Sequence, residues 1–144
     1  MSVLQAQRLK GVDAALAQVV YAIANRAKAE LNVSTTVVYG YRSAEEQERL
    51  YAQGRTTPGN VVTRARGGQS PHNFFAAVDI APVRGGKVEW ENAAFWAIVS
   101  QEVAKRPELV WGGGWASFPD RPHIELKNWR DVRAGSAKVN PYLP

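Results

Sequence analysis

Residues 33–46 read Val-Ser-Thr-Thr-Val-Val-Tyr-Gly-Tyr-Arg-Ser-Ala-Glu-Glu, and the change of pattern within them decides the fold class. Val33 to Tyr41 is rich in β-branched and aromatic residues, which predicts a strand. Ser43-Ala44-Glu45-Glu46 then has the form of a capping box, in which Ser43 and Glu46 satisfy each other's free backbone N–H groups. A helix is expected over Ala44–Gln53, stopping at Gly54. Upstream, Val12, Leu16, Val19, Val20 and Ile23 fall at helical spacing, so a helix is expected from about Val12 to Leu31 with Asp13 as its cap. Downstream, Arg55 to Gly68 reads as a long surface loop, of the kind that often forms lids or binding segments. Ala76 to Ala81 is a short apolar run, Val83 to Lys87 a turn, and Glu91 to Lys105 a helix. Leu109–Trp111 opens a segment that ends in Gly112-Gly113-Gly114-Trp115. His123–Leu126 reads as a strand, and Lys127–Pro144 as mostly irregular chain. There is no regular alternation of strand and crossover helix. The expected class is α+β, a small, mainly antiparallel sheet flanked by helices in a single domain over residues 1–144, with no separate wall-binding domain.

The chain has 144 residues, 45% of them hydrophobic, which is enough to bury a core without covalent staples. It contains no cysteine, so disulfides, zinc ribbons and thiol nucleophiles are excluded. Any metal must be held by nitrogen and oxygen. The formal net charge of +5 suits polyanionic partners such as nucleic acid, anionic lipid or cell-wall polymers, and does not choose among them. No run of like charges suggests a nucleic-acid arm, and no nucleic-acid partner is expected. The N-terminus has neither a signal-peptide pattern nor a membrane span. The protein is accordingly expected in the cytoplasm until something else releases it, and as a monomer.

The two histidines, His72 and His123, both lie in polar, turn-rich surroundings. Asp79 sits inside the apolar run Ala76-Ala77-Val78-Asp79-Ile80, where a carboxylate is costly to bury unless it is paired or bound to metal. Catalytic zinc sites commonly use three nitrogen or oxygen ligands and leave a fourth position for water. His72, Asp79 and His123 supply such a set. On spacing alone, a hydrogen-bonded surface histidine and a capping aspartate remain open as the alternative.

The surrounding words add to this. Ser70-x-His72 followed by Ala77-x-Asp79, and Asp120-Arg121-Pro122-His123, resemble the two motifs of the zinc D-alanyl-D-alanine carboxypeptidase family, the LAS metallopeptidases. Tyr41-Arg42-Ser43, Leu50-Tyr51-Ala52-Gln53-Gly54-Arg55-Thr56 and the Trp111–Trp115 segment resemble the family's phage-endolysin branch of L-alanyl-D-glutamate endopeptidases. The resemblance runs from about residue 10 to residue 133. It implies one zinc ion per chain held by His72, Asp79 and His123, with Asp120 as general base and Arg42 polarising the scissile carbonyl or holding substrate. It also places Ser70 near the metal. Glu125, two residues beyond His123 on the same face of a strand, is the expected orienting partner of that histidine and the reserve candidate for the base.

The implied function is cleavage of the peptidoglycan stem peptide, at the L-Ala–D-Glu bond, by a lysin that reaches the wall through a separate membrane pore. A D-alanyl-D-alanine carboxypeptidase and a non-catalytic wall-binding module are the alternatives. Phe75 stands where the family carries glycine, and its ring is expected to be buried under the sheet. Gly114 stands where relatives often carry a polar residue. Trp111 and Trp115 could line a substrate groove, but aromatic residues are more often core, and neither is placed in the catalytic set.

Overall fold

The computed structural model describes residues 3–131. The first helix, α1 (Ala14–Leu31), begins where Asp13 accepts a hydrogen bond from the Ala15 N–H at 2.9 Å. It ends at Asn32, whose left-handed conformation (φ 53°) closes the last turn. Its apolar stripe, with Leu16, Val20 and Ile23, is fully buried. The later helix α3 (Ala93–Ala104) is capped by Asn92, which accepts from the Phe95 N–H, and it adds Phe95 and Val99 to the same core. These helices cover one face of the sheet through Val37, Val78, Ile80 and Ile124. Burying each such side chain contributes roughly 2 kcal/mol.

The sheet runs β1 (Val3–Leu4), β2 (Ser34–Tyr39), β3 (Ala77–Arg84), β6 (His123–Leu126), β5 (Leu109–Trp111), with β4 (Lys87–Val88) pairing β3 beyond a glycine turn. All pairings are antiparallel except β1 with β2. The expected mainly antiparallel sheet is thus present, with a short parallel strand at its edge that the sequence reading had as undefined N-terminal chain.

One irregularity positions the site. Val37 pairs with Ile80, but the next pair is Tyr39 with Asp79, so β2 carries one extra residue at Val38. Side chains opposite each other share a face, and Val37 and Ile80 both point into the core. The bulge therefore turns Tyr39 to the other face, beside Asp79. Arg8 stabilises it by donating to the carbonyls of Val37 and Val38 at 3.1 and 3.0 Å. Asp79 also pairs with His123 across β3 and β6, so Tyr39, Asp79 and His123 form one row across three strands.

Helix α2 (Ala44–Ala52) follows β2, and Ser43 accepts from the Glu46 N–H at 3.0 Å. The expected reciprocal contact is not made. The Glu46 carboxylate turns to Arg49 on the next helical turn instead, so only half of the capping box forms. The loop expected over Arg55–Gly68 lies within the longer stretch 53–70 that joins α2 to the 3-10 helix Pro71–Phe74, tied back to α2 where Glu48 accepts from the Gly67 N–H and Arg66. In the tail, Trp129–Asp131 forms a short helical turn (α4) in place of irregular chain. The expectation for the remainder of the tail lies outside the described residues.

Phe75 departs from expectation. Its backbone does adopt the left-handed conformation that suits glycine (φ 58°), ending the short 3-10 helix Pro71–Phe74. The ring is not under the sheet. It is 38% exposed, stacked on Tyr41 with centroids 4.3 Å apart, and it leaves no room for a side chain at Gly11. At this left-handed position the ring lies against Tyr41 and over Gly11 rather than beneath β3.

Candidate metal centre

Three donor atoms, one each from His72, Asp79 and His123, lie within 4.8 Å of one another. They come from different elements. His72 sits in the 3-10 helix Pro71–Phe74, with Ser70 capping that turn by accepting from the His72 N–H at 3.3 Å. Asn73 locks the turn in place. Its side-chain amide donates to the Arg42 and Ser43 carbonyls, and its oxygen accepts from the N–H groups of Gly68 and Ser70. Asp79 and His123 are cross-strand neighbours.

The hydrogen bonds assign a role to each ring nitrogen. His72 Nδ1 is 2.9 Å from the carbonyl oxygen of Gly40, which can only accept. That ring therefore donates through Nδ1–H, which leaves Nε2, 3.3 Å from Asp79 Oδ1, as the nitrogen turned to the site. His123 is arranged the other way round. Its Nε2 is 2.8 Å from Glu125 Oε1, and its Nδ1 faces Asp79 Oδ1 at 3.0 Å. With Nε2 facing Glu125, Nδ1 is the nitrogen turned to Asp79 and the site. Both imidazoles are buried, at 2% and 7% exposure, and each is oriented by an acceptor behind it, as metal-ligating histidines generally are.

Charge within the protein matches this design. Burial favours the neutral form of Asp79, but the two histidines outweigh it and hold its carboxyl far below the usual range. Burial opposes the charged form of His123, yet hydrogen bonds and charge from Asp79 and Glu125 push it up to about 10. Two imidazoles and a carboxylate, converging without cysteine, fit zinc, whose charge would take the place of the proton shared between His123 and Asp79.

The remaining candidates line the same groove, of about 880 Å³. Asp120 lies on its wall, held by its N–H donating to the Gly112 carbonyl at 2.9 Å. No side chain could replace the hydrogen of Gly112, because a Cβ there would stand 2.6 Å from the Asp120 carbonyl oxygen. Burial, and then the charge of Asp79, raise the Asp120 carboxyl above its ordinary value. Glu125 lies behind the His123 ring, as an orienting partner would. Arg42 is only 8% exposed and does not reach Glu45 or Glu46. It donates to Gln47 Oε1 at 2.8 Å, approaches Asp79 Oδ2 at 3.6 Å, and lies 4.1 Å above the Tyr39 ring, while its buried Nε has no partner among the described residues.

The two tryptophans, open to either core or groove on sequence, divide between them. Trp111 packs at the edge of the core and donates Nε1–H to the Arg121 carbonyl, but Trp115 lines the groove with its ring 5.4 Å from that of His123. The 3-10 turn Gly112–Gly114, which follows β5, carries it out of the sheet. Gln47 was missed altogether. It is fully buried, and besides holding Arg42 it donates to the Ala65 carbonyl at 2.8 Å and to Thr63 Oγ1 at 3.3 Å. A lone polar residue on the inward side of a nine-residue helix was the available signal.

A row of sheet residues carrying a two-histidine, one-aspartate site beside a carboxylate and an arginine defines a zinc-peptidase class of centre. The signature described as D-alanyl-D-alanine carboxypeptidase matches residues 63–126, the span that holds all three donors and Asp120. The chain carries the signature of this family of metallopeptidases over that span. Over 109 residues it is 39% identical to the peptidoglycan L-alanyl-D-glutamate endopeptidase CwlK of Bacillus subtilis (strain 168), a match covering 69% of this chain and 65% of that protein. The chain thus matches slightly less than two thirds of that relative's length. The crystal structure of Serratia marcescens L-Ala D-Glu endopeptidase ChiX superimposes with a TM-score of 0.60 at 26% identity, covering 88% of both chains. A vancomycin-resistance D,D-pentapeptidase, VanY from the VanB-type cassette, solved with Zn(II), shares the fold with a TM-score of 0.55 at 14% identity, covering 85% of this chain and 78% of that one.

Proposed function

We propose that the protein is a zinc-dependent peptidoglycan peptidase that hydrolyses the stem peptide between L-Ala and D-Glu. The observation that carries this reading is the convergence of two oriented imidazole nitrogens and Asp79 in a groove shared with Asp120 and Arg42. The likeness to CwlK and ChiX supports the choice of bond. His72, Asp79 and His123 would hold the ion, which supplies Lewis acidity towards water and the scissile carbonyl.

The other groups act around it. Asp120, its affinity for protons raised by burial, takes a proton from the attacking water and returns it to the leaving amine. Arg42, stacked on Tyr39 and held by Gln47, offers guanidinium N–H groups to the carbonyl oxygen as negative charge develops there. Glu125 fixes the ring of His123, and Ser70 fixes the turn that carries His72.

The endolysin-like words at Tyr41–Ser43 and Leu50–Thr56 support a role in lysis of a bacterial host by a phage. In that role the enzyme waits in the cytoplasm until a separate pore admits it to the wall. Mass spectrometry of purified peptidoglycan, digested with and without chelator, tests the chemistry. New L-Ala C-termini that vanish with chelator are expected. Release of D-Ala alone would make the enzyme a carboxypeptidase, and binding without cleavage would make it a wall-binding module.

A further inference from the structure

The groove contains a second arginine that the proposed chemistry does not use. Arg64 lines it from the long loop, and its guanidinium lies 4.7 Å above the ring of Phe118, on a segment distant in sequence. Arg42 is committed to Asp79 and Gln47. Arg64, by contrast, faces no carboxylate among the described residues. A cation on a groove wall with only an aromatic face beneath it keeps its N–H edge free for an incoming anion.

Arg64 belongs to a long loop, but its backbone is fixed on both sides. Gln47 donates to Thr63 Oγ1 and to the Ala65 carbonyl, and Thr63 Oγ1 also accepts from the Ala65 N–H at 3.1 Å. The same glutamine holds Arg42. The two arginines are therefore set in register by a single fully buried side chain. Phe118 is likewise placed at some expense. It is a non-glycine residue in the left-handed region (φ 54°), with its ring 44% exposed rather than withdrawn into the core.

We propose that Arg64 is a specificity-determining residue that recognises a free carboxylate on the substrate, with Phe118 as its supporting platform. The inference rests on the reading of the groove as a peptidase site. A glutamyl residue beside the cleaved bond has two carboxyl groups. One continues the chain, and the other is left ionised for a guanidinium to bind, whereas its carboxamide form would offer only a neutral, weaker acceptor.

Two synthetic stem peptides, identical except that this free group is carboxylate or carboxamide, provide the test. The wild-type enzyme should favour the carboxylate peptide in kcat/KM by about tenfold or more, the worth of a hydrogen bond to a charged group. Arg64→Gln should bring that ratio close to one, mainly through KM, while Arg64→Lys keeps part of it and Phe118→Ala weakens it. A merely structural role for Arg64 would lower both rates alike and leave the ratio intact, and that result would overturn the proposal. Calorimetric binding of the same peptides to zinc-loaded Asp120→Asn, with and without Arg64→Gln, separates this inference from the choice of scissile bond. If neither peptide is cut but the carboxylate form binds preferentially through Arg64, the bond is wrong and the recognition stands. If both are cut with no preference, the bond is right and the recognition is wrong.

Discussion

At the scale of single residues, the two carboxylates flanking His123 have different surroundings, so their removal should have different effects. Asp120 has no hydrogen-bond partner for its side chain among the described residues, and burial raises its carboxyl. Asp120→Asn should keep zinc and the fold while slowing peptide cleavage by roughly two to four orders of magnitude. Glu125 is bound to the Nε2 side of His123. Glu125→Gln should weaken zinc some 10- to 100-fold, and excess zinc should restore much of the activity. Metal titration alongside kinetics distinguishes the pair, and rescue of Asp120→Asn by zinc would reverse the assignment. Phe75 poses a different question, because strain and contact oppose each other there. Its left-handed backbone costs about 1–2 kcal/mol, and stacking on Tyr41 returns about 0.5–1.5 kcal/mol. Phe75→Gly should therefore melt within a few degrees of wild type and cut at the same rate, since the ring lies outside the groove. A marked gain in turnover would show that the ring disturbs Asp79.

At the scale of elements, helix α2 couples Arg42 to the groove-lining loop through Gln47. Gln47→Ala leaves Arg42 Nη1 and the Ala65 carbonyl without their partner. Turnover should fall up to about a hundredfold with zinc content unchanged, as expected for a displacement of about 1 Å in a pre-organised site. Zinc loss in that variant would instead mean that the helix supports the ligands. Helices α1 and α3 are joined by Glu102, which accepts from Arg26 at 2.9 Å, Lys105 at 2.6 Å and Arg106 at 3.4 Å. Burial favours its neutral form, but these cations win and its pKa is lowered. A carboxylate depressed on folding stabilises fully above its unfolded pKa of about 4.5 and loses that contribution as pH falls through the folded value. The gap in Tm between wild type and Glu102→Gln should be widest at neutral pH and shrink as the pH falls below the ordinary glutamate range. Much of this level was legible in the sequence. Asp13 marks a real helix start, the helix expected over Glu91–Lys105 is α3, and the row of β-branched residues before Tyr39 is a real strand. The extra residue at Val38 was not legible, because a bulge is set by pairing with a strand some forty positions away. Nor was the surface course of the Phe75 ring, which depends on a backbone angle that an apolar neighbourhood does not reveal.

At the scale of the whole molecule, the proposed ligand set was readable because histidine is rare here and the motif words flank it. The division of labour between ring nitrogens needed the positions of Gly40 and Glu125 in space. Zinc bound only by the folded chain should raise Tm, with about 2.7 kcal/mol of added stability at a hundredfold excess over Kd. Calorimetry with and without zinc measures this, and equal melting temperatures would exclude a site formed by folding. The strand order carries one more consequence. Strand β6, the last described strand in the chain, lies inside the sheet between β3 and β5. A growing chain can lay down β2, β3 and both long helices and still lack the third donor. The proposed ligand set is therefore complete only once β6 has slotted between its two neighbours. In reverse, withdrawing that strand would open the sheet and release an ion held there in one event, so the rate at which zinc escapes to a strong chelator should serve as a clock for unfolding of the protein.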